Sequence, residues 1–232
     1  MHAPHPFPRR GGPARGTRPG PTVPNEQPAR RVTGRGPPPP PPPERRDDWQ
    51  RAPDIFAAAG LRAGSRVADL GAGEGWLTTR LARHVGPGGR VFAADISERA
   101  LQSLGEALGD STGQVELVLS EADDPRLPYG TLDAVIVVNA YHEFVERVAV
   151  LDGVKRALKP GGLLVIVDAA PSDTVLTRRE QAQNHTLAPA FARDDLEAHG
   201  FEIVSVQPEF VLHKHDTHTH RQWLISARKR IR

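Results

Sequence analysis

Residues 67–76 of this 232-residue chain, Val-Ala-Asp-Leu-Gly-Ala-Gly-Glu-Gly-Trp, restrict the fold more than any other stretch. The apolar run over residues 66–70 reads as a buried strand. Gly71, Gly73 and Gly75 follow at alternate positions, and Leu77, Leu81 and Val85 then recur at i, i+4 and i+8, the spacing of a helix. A strand that turns through glycines into a helix is a ligand-binding device. Glycine permits unusual backbone angles and lets a ligand approach the main chain, and the helix N-terminus offers unpaired N–H donors. The spacing G-x-G-x-G departs from the G-x-G-x-x-G of dinucleotide folds. A second apolar run over residues 91–96 ends at Asp95, roughly twenty residues past the loop, where nucleoside-binding α/β folds carry the carboxylate that accepts from ribose hydroxyls.

The chain from residue 47 onward alternates strands with helices. Asp47-Asp48 is read as the cap of a helix that starts near Trp49, buries Ile55 and Phe56 and stops at Gly60. Ser97 is placed to cap a helix with Glu98 in its first turn and Leu101, Leu104 and Leu108 on one face. Residues 115–119 read as a third strand, and residues 132–138, the most apolar run, as a central one. A helix with Phe144, Val148, Leu151 and Leu158 inward is expected next, with Lys155, Arg156 and Lys159 in its last turn and Pro160-Gly161-Gly162 stopping it. Residues 163–168 form a fifth strand. Helices are expected over residues 176–183 and from Pro189, with Ala192 and Leu196 inward and Gly200 as the stop. Residues 201–206 and 222–227 read as two last strands joined by a long connection. The pattern predicts a doubly wound, Rossmann-like α/β fold, its sheet mostly parallel.

The glycine loop with Asp69 two residues before it, Asp95 at the end of the second strand, and Leu-Lys-Pro-Gly-Gly-Leu-Leu at residues 158–164 resemble the class I S-adenosylmethionine (SAM) dependent methyltransferases over nearly the whole folded part. The resemblance implies a C-terminal antiparallel hairpin and SAM as cofactor. It implies cofactor contacts from Asp69, Gly71, Ala72, Gly73, Gly75, Asp95 and Ile96. The turn Ser120-Glu121-Ala122-Asp123 stands where the family holds adenine; Glu121 or Asp123 would accept from the exocyclic amine, beside Ala122. Asn139 closes the cofactor set. Tyr141, His142 and Glu143 follow the fourth strand, where the family's acceptor meets the methyl group. His142 has the ordinary pKa of a base at neutral pH, but capping the next helix or binding the cofactor are equal readings. Trp49 is open to a lid or a packing role.

What is missing narrows the acceptor. There is no cysteine, which excludes disulfides, thiolate metal sites and the cysteine-dependent route to cytosine C5 methylation. The Asn/Asp-Pro-Pro-aromatic motif of amine- and amide-methylating relatives is replaced by Asn139-Ala140-Tyr141-His142. A small-molecule acceptor is the favoured reading. A docked RNA or protein, or a non-catalytic SAM-binding module, are the alternatives. The reading sets no oligomeric state.

Residues 1–46 are dense in Pro, Gly and Arg, with an unbroken proline run from Pro37 to Pro43, and read as a disordered tail before a methyltransferase domain over residues 47–232. The nine arginines of the tail face two glutamates, so nucleic-acid contact is open but not favoured over a solvated extension. Arg9-Arg10 lacks a following apolar segment, which argues against an export signal. No apolar run has membrane-spanning length, and a cytoplasmic location is expected. His213, His215, His218 and His220, with Lys214 and Asp216 among them, read as a solvated loop. No metal site is assigned.

Overall fold

The structure, a computed structural model, describes residues 43–215 and 218–230. A seven-stranded sheet has the order β3-β2-β1-β4-β5-β7-β6. It is built from β1 (Arg66–Leu70), β2 (Arg90–Asp95), β3 (Val115–Leu119), β4 (Leu132–Val138), β5 (Leu158–Ala169), β6 (Phe201–His215) and β7 (His218–Lys229). The first five strands are mutually parallel, and β7 inserts antiparallel between β5 and β6. This is the predicted doubly wound sheet with its antiparallel hairpin.

Central parallel strands are covered on both faces, which is why they read as continuous apolar runs. On one face Val67, Val91, Ile136 and Val165 pack with Ile55 and Phe56 of α2 (Ala52–Ala58) and with Leu77 and Leu81 of α3 (Trp76–Val85). On the other, Ala68, Phe92, Val135, Val137 and Ile166 pack with Leu151 and Val154 of α5 (Arg147–Ala157) and with Leu196 of α7 (Pro189–Ala198). The helix α4 (Glu98–Leu108) begins as its sequence predicts, with the Ser97 hydroxyl accepting from Ala100 N–H at 3.2 Å.

Three elements differ from their sequence reading. The first helix is two helices. Here α1 (Pro43–Gln50) ends at Arg51, whose φ of 54° is left-handed, and α2 starts anew. Pro53 explains the break, because it has no N–H for a bond to Trp49 and its ring would collide with that carbonyl. Asp47 therefore caps nothing; it forms an ion pair with Arg80 of α3. Trp49 packs flat against His213 and His220, at ring separations of 5.6 and 5.9 Å. The helix after β4 starts later than expected. Tyr141–Glu143 is a single 3-10 turn, α5 buries Val150, Leu151 and Val154, Val148 is exposed, and Leu158 already belongs to β5.

The last two strands are not short strands with a long link. They are a continuous hairpin in which His213 faces His220 and His215 faces His218. Pro208 falls within the register shift between Gln207 and Val211, which tolerates a residue that cannot donate to the ladder; β6 is also the sheet edge, where proline is permitted. The expected tail lies almost wholly outside the described residues, except that α1 already begins at Pro43.

Gly75 makes a sharp test of this packing. Its φ is 85°, and a Cβ there would lie 2.1 Å from Leu104 Cδ1. Gly75→Ala should cost about 2 kcal/mol or more through backbone strain and overpacking. Denaturant unfolding measures this, with Gly86→Ala, where a Cβ meets nothing within 4 Å, as the control that carries only the strain.

Candidate functional site

The strand order reverses between β1 and β4, since the chain proceeds outward through β2 and β3 on one side and through β5 on the other. Crevices form at such a switch point, outside the carboxyl ends of the strands. A cavity of about 370 Å³ lies here. Four strand ends contribute: Leu70, Gly71 and Gly73 after β1, Asp95 and Ile96 after β2, Ser120, Glu121 and Ala122 after β3, and Asn139, Ala140, Glu143 and Phe144 after β4.

The glycine loop is fixed from both sides. Gly71 and Ala72 donate to the Ala94 carbonyl at 2.8 and 3.1 Å, and a Cβ on Gly71 would lie 2.5 Å from the Ala140 Cβ. Gly73 N–H donates to Asp95 Oδ2 at 2.8 Å, while Asp95 Oδ1 accepts from Ser97 N–H at 2.8 Å. A Cβ on Gly73 would meet no protein atom within 4 Å. Its backbone thus faces open space beside the Asp95 carboxylate. Ile96, 67% exposed, offers an apolar surface to the same cavity, as an adenine-sized ring would need.

Asp69 sits under the loop and does not line the cavity. It accepts from the Thr78 hydroxyl at 2.6 Å. Burial pushes its carboxyl up to about 6, against the pull of the Thr78 hydrogen bond and the Arg46 charge. Arg46 also lies over the Trp76 ring at 4.2 Å, so this arginine of the basic segment packs against the domain. Gly75 and Ala72 likewise shape the loop without lining the cavity.

Glu121 and Ala122 line the cavity and Asp123 does not. The Glu121 carboxylate accepts from Arg126 Nη2 at 2.5 Å, and its backbone N–H donates to the Asp124 carbonyl at 2.8 Å. Asn139 occupies the left-handed region at φ 57°, which asparagine tolerates better than most residues. Its amide belongs to a closed ring of three. Gln50 Nε2 donates to Gln222 Oε1 at 2.6 Å, Gln222 Nε2 donates to Asn139 Oδ1 at 2.6 Å, and Asn139 Nδ2 reaches Gln50 Oε1 at 3.5 Å. The ring ties α1 and β7 to the cavity wall.

Of the three residues expected on the acceptor side, only Glu143 lines the cavity. Tyr141 is buried, and its hydroxyl donates to Asp195 at 2.9 Å; burial first, and then Asp195, raise its phenol above the ordinary value. His142 is buried beside Asp168. The Asp168 carboxylate accepts from His142 N–H at 2.9 Å and pairs with Nδ1 at 2.8 Å. Burial works against charge on this imidazole, but Asp168 and then Glu143 outweigh it and raise the pKa.

Sequence reasoning missed Gln50 and Gln222, which do not touch the cavity but hold Asn139, which does, and Thr78, which holds Asp69 under the loop. It also missed His185, which approaches the ring of His142 edge-on at 5.6 Å. Neither glutamine stands out in the sequence, because both have polar neighbours, Asp48 and Arg51 near Gln50 and His220 and Arg221 before Gln222.

Residues 67–162 match the model of a methyltransferase domain family. A ubiquinone/menaquinone biosynthesis C-methyltransferase from Pseudomonas paraeruginosa is 29% identical over 165 residues, covering 68% of this chain and 64% of the relative. The chain thus spans just under two thirds of the length of such relatives. Among solved structures, a SAM-dependent methyltransferase from Aquifex aeolicus superposes with a TM-score of 0.66 at 24% identity, covering 81% of this chain and 93% of the other. Phosphoethanolamine N-methyltransferase 2 from Haemonchus contortus, in complex with S-adenosyl-L-methionine, gives 0.64 at 17% identity over 79% of this chain and 53% of the other. Residues 67–162 are thus similar in sequence to a methyltransferase domain, and the fold is shared with solved SAM-dependent methyltransferases.

The buried Asp69 gives a pH test. Its pKa is higher folded than unfolded, so the native state holds a proton that the unfolded chain has released between about pH 4 and pH 6. Stability therefore falls as pH rises through that window, by up to about 3 kcal/mol from this group. Asp69→Asn keeps an acceptor for Thr78 and removes the ionisation. The variant should be more stable than the parent at neutral pH and lose that advantage below about pH 4, as read from urea midpoints across the range.

Proposed function

We propose that the cavity binds SAM and that the protein transfers its methyl group to a small-molecule acceptor entering beside Glu143 and Phe144. One observation carries this reading more than any other. The Asp95 carboxylate lines the cavity beside the open Gly73 backbone, with its two oxygens each taking only a single backbone N–H. A carboxylate oxygen has two lone pairs, so both can still accept from the two hydroxyls of a ribose. The residues fit the cofactor in kind and position. Gly71 and Gly73 present main chain to its amino-acid end, Asp95 to the ribose, and Ile96 with the Glu121–Ala122 backbone to the base. Asp69, Ala72 and Gly75 act on the cofactor through the loop they shape.

The bound cofactor supplies a methyl carbon already activated by its sulfonium. The remaining work is alignment and exclusion of water. Phe144, Val145 and Val150 give the acceptor side an apolar wall, and Glu143 places one carboxylate there. The C-methyltransferase relatives in ubiquinone and menaquinone biosynthesis support a small apolar acceptor over a macromolecule. A cytoplasmic enzyme is part of this reading; among the described residues no helix is long and apolar enough to cross a membrane.

SAM or its demethylated product should raise the melting temperature, and NAD should not. Asp95→Ala should weaken SAM binding by roughly 10- to 100-fold, the worth of hydrogen bonds to a charged group. Calorimetry that finds equal affinity in parent and variant removes the assignment. Incubation with methyl-labelled SAM and fractionated cell extract should label the small-molecule fraction; label confined to RNA or protein would favour the macromolecular reading.

A further inference from the structure

The imidazole of His142 has one nitrogen bonded and one stranded. Nδ1 is paired with Asp168, whereas Nε2 is buried and has no hydrogen-bond partner. The His142 side chain is only 4% exposed, so no solvent relieves that nitrogen. Stranded buried nitrogens are costly and uncommon. Nε2 is not aimed at a blank apolar wall. Glu143 Oε1 lies 3.5 Å away, close in charge but outside hydrogen-bond geometry, and the ring of His185 stands edge-on to that of His142. One donor atom from each of the three side chains falls within 4.8 Å of the others.

We propose that His142, Glu143 and His185 bind a divalent transition-metal ion, with Asp168 orienting His142. Two imidazole nitrogens and one carboxylate oxygen form a donor set suited to Zn²⁺, Co²⁺ or Ni²⁺ and poorly suited to Mg²⁺ or Ca²⁺, which take oxygens. Asp168 completes the arrangement usual for a metal-bound histidine, in which a carboxylate takes the other ring N–H and fixes the tautomer. With Asp168 on Nδ1, Nε2 is the nitrogen that presents a lone pair to a metal.

The geometry requires a small closure. Bonds of about 2.0–2.2 Å set donors in a tetrahedral site roughly 3.3–3.5 Å apart; His142 Nε2 and Glu143 Oε1 already stand 3.5 Å apart, and all three donors lie within 4.8 Å of one another. His142 is fixed and cannot supply that movement. Glu143 and His185 are both exposed side chains and can rotate inward. A metal at such a bond length also needs less room than a hydrogen-bonded water, so the tight surroundings of Nε2 do not exclude it.

Three protein ligands leave a coordination position open. Glu143 belongs both to this trio and to the cavity wall, so the open position lies at the acceptor end of the cavity. The ligand it takes there is an oxygen donor such as a hydroxyl or an enol of the acceptor. The metal would hold that oxygen and lower the pKa of its proton. Binding of the ion itself does not depend on SAM, so it stands or falls apart from the proposed transfer reaction.

The test is a Co²⁺ titration of the full-length protein, stripped with chelator and free of SAM, followed by visible ligand-field absorption. The chain has a second group of histidines at positions 213, 215, 218 and 220, so a variant with all of these changed to alanine is titrated alongside. The parent and that variant should bind one Co²⁺ with the same spectrum. His185→Ala and Glu143→Gln change exposed side chains, and each should weaken binding at least ~10-fold; Asp168→Asn should weaken it by roughly 10- to 100-fold, as the loss of an orienting partner does. If Asp168→Asn fails to fold, the His185→Ala and Glu143→Gln results decide the matter. Unchanged affinity in His185→Ala, or binding lost only when the hairpin histidines are replaced, overturns the proposal.

Discussion

The Asp95 carboxylate joins three pieces of backbone that would otherwise be independent. It sits at the end of β2, accepts from Gly73 in the loop after β1, and accepts from Ser97 at the start of α4. Both acceptances are short, at 2.8 Å, and both are from main-chain donors that have no helix or sheet partner of their own. The loop's open face and the cavity beside it follow from this tie. The sheet order supplies the location, because β1 and β4 are neighbours whose chains leave in opposite directions.

The residues that support the cavity from behind carry their cost as buried polar groups. Asp69 is sealed under the loop and its carboxyl is pushed up to about 6 by burial. Asp168 is fully buried against His142. The amides of Gln50, Gln222 and Asn139 satisfy one another where apolar side chains would pack with less constraint. A domain that needed only a stable core would gain by replacing such groups. Their positions, in or just behind the cavity wall, are what positioning a ligand requires.

Much of the fold was legible because its signals are local. The strand before Gly71, the Ser97 cap and the apolar run ending at Val138 each follow from a short window of sequence. So do the glycine loop and Asp95, the parts of the candidate site that lie on one strand end each. What was not legible depends on distant partners. The break at Arg51 turns on Pro53, whose effect competes with an otherwise continuous helical pattern. The length of β6 and β7 depends on pairing across the hairpin, and polar residues such as His213 and His220 hide a strand that Trp49 helps cover. His185 is 43 residues from His142 in sequence, and only the fold of the segment after β5 brings the rings together.

The central claim is that the crevice between Gly73 and Asp95 holds the adenosyl part of SAM. A crystal structure of the protein with S-adenosylhomocysteine tests it most directly. The account predicts both ribose hydroxyls on the Asp95 carboxylate, the base against Ile96 and the Glu121–Ala122 backbone, and the amino-acid end along Gly71 and Gly73. Density for the ligand at any other place, or a ribose turned away from Asp95, would contradict it.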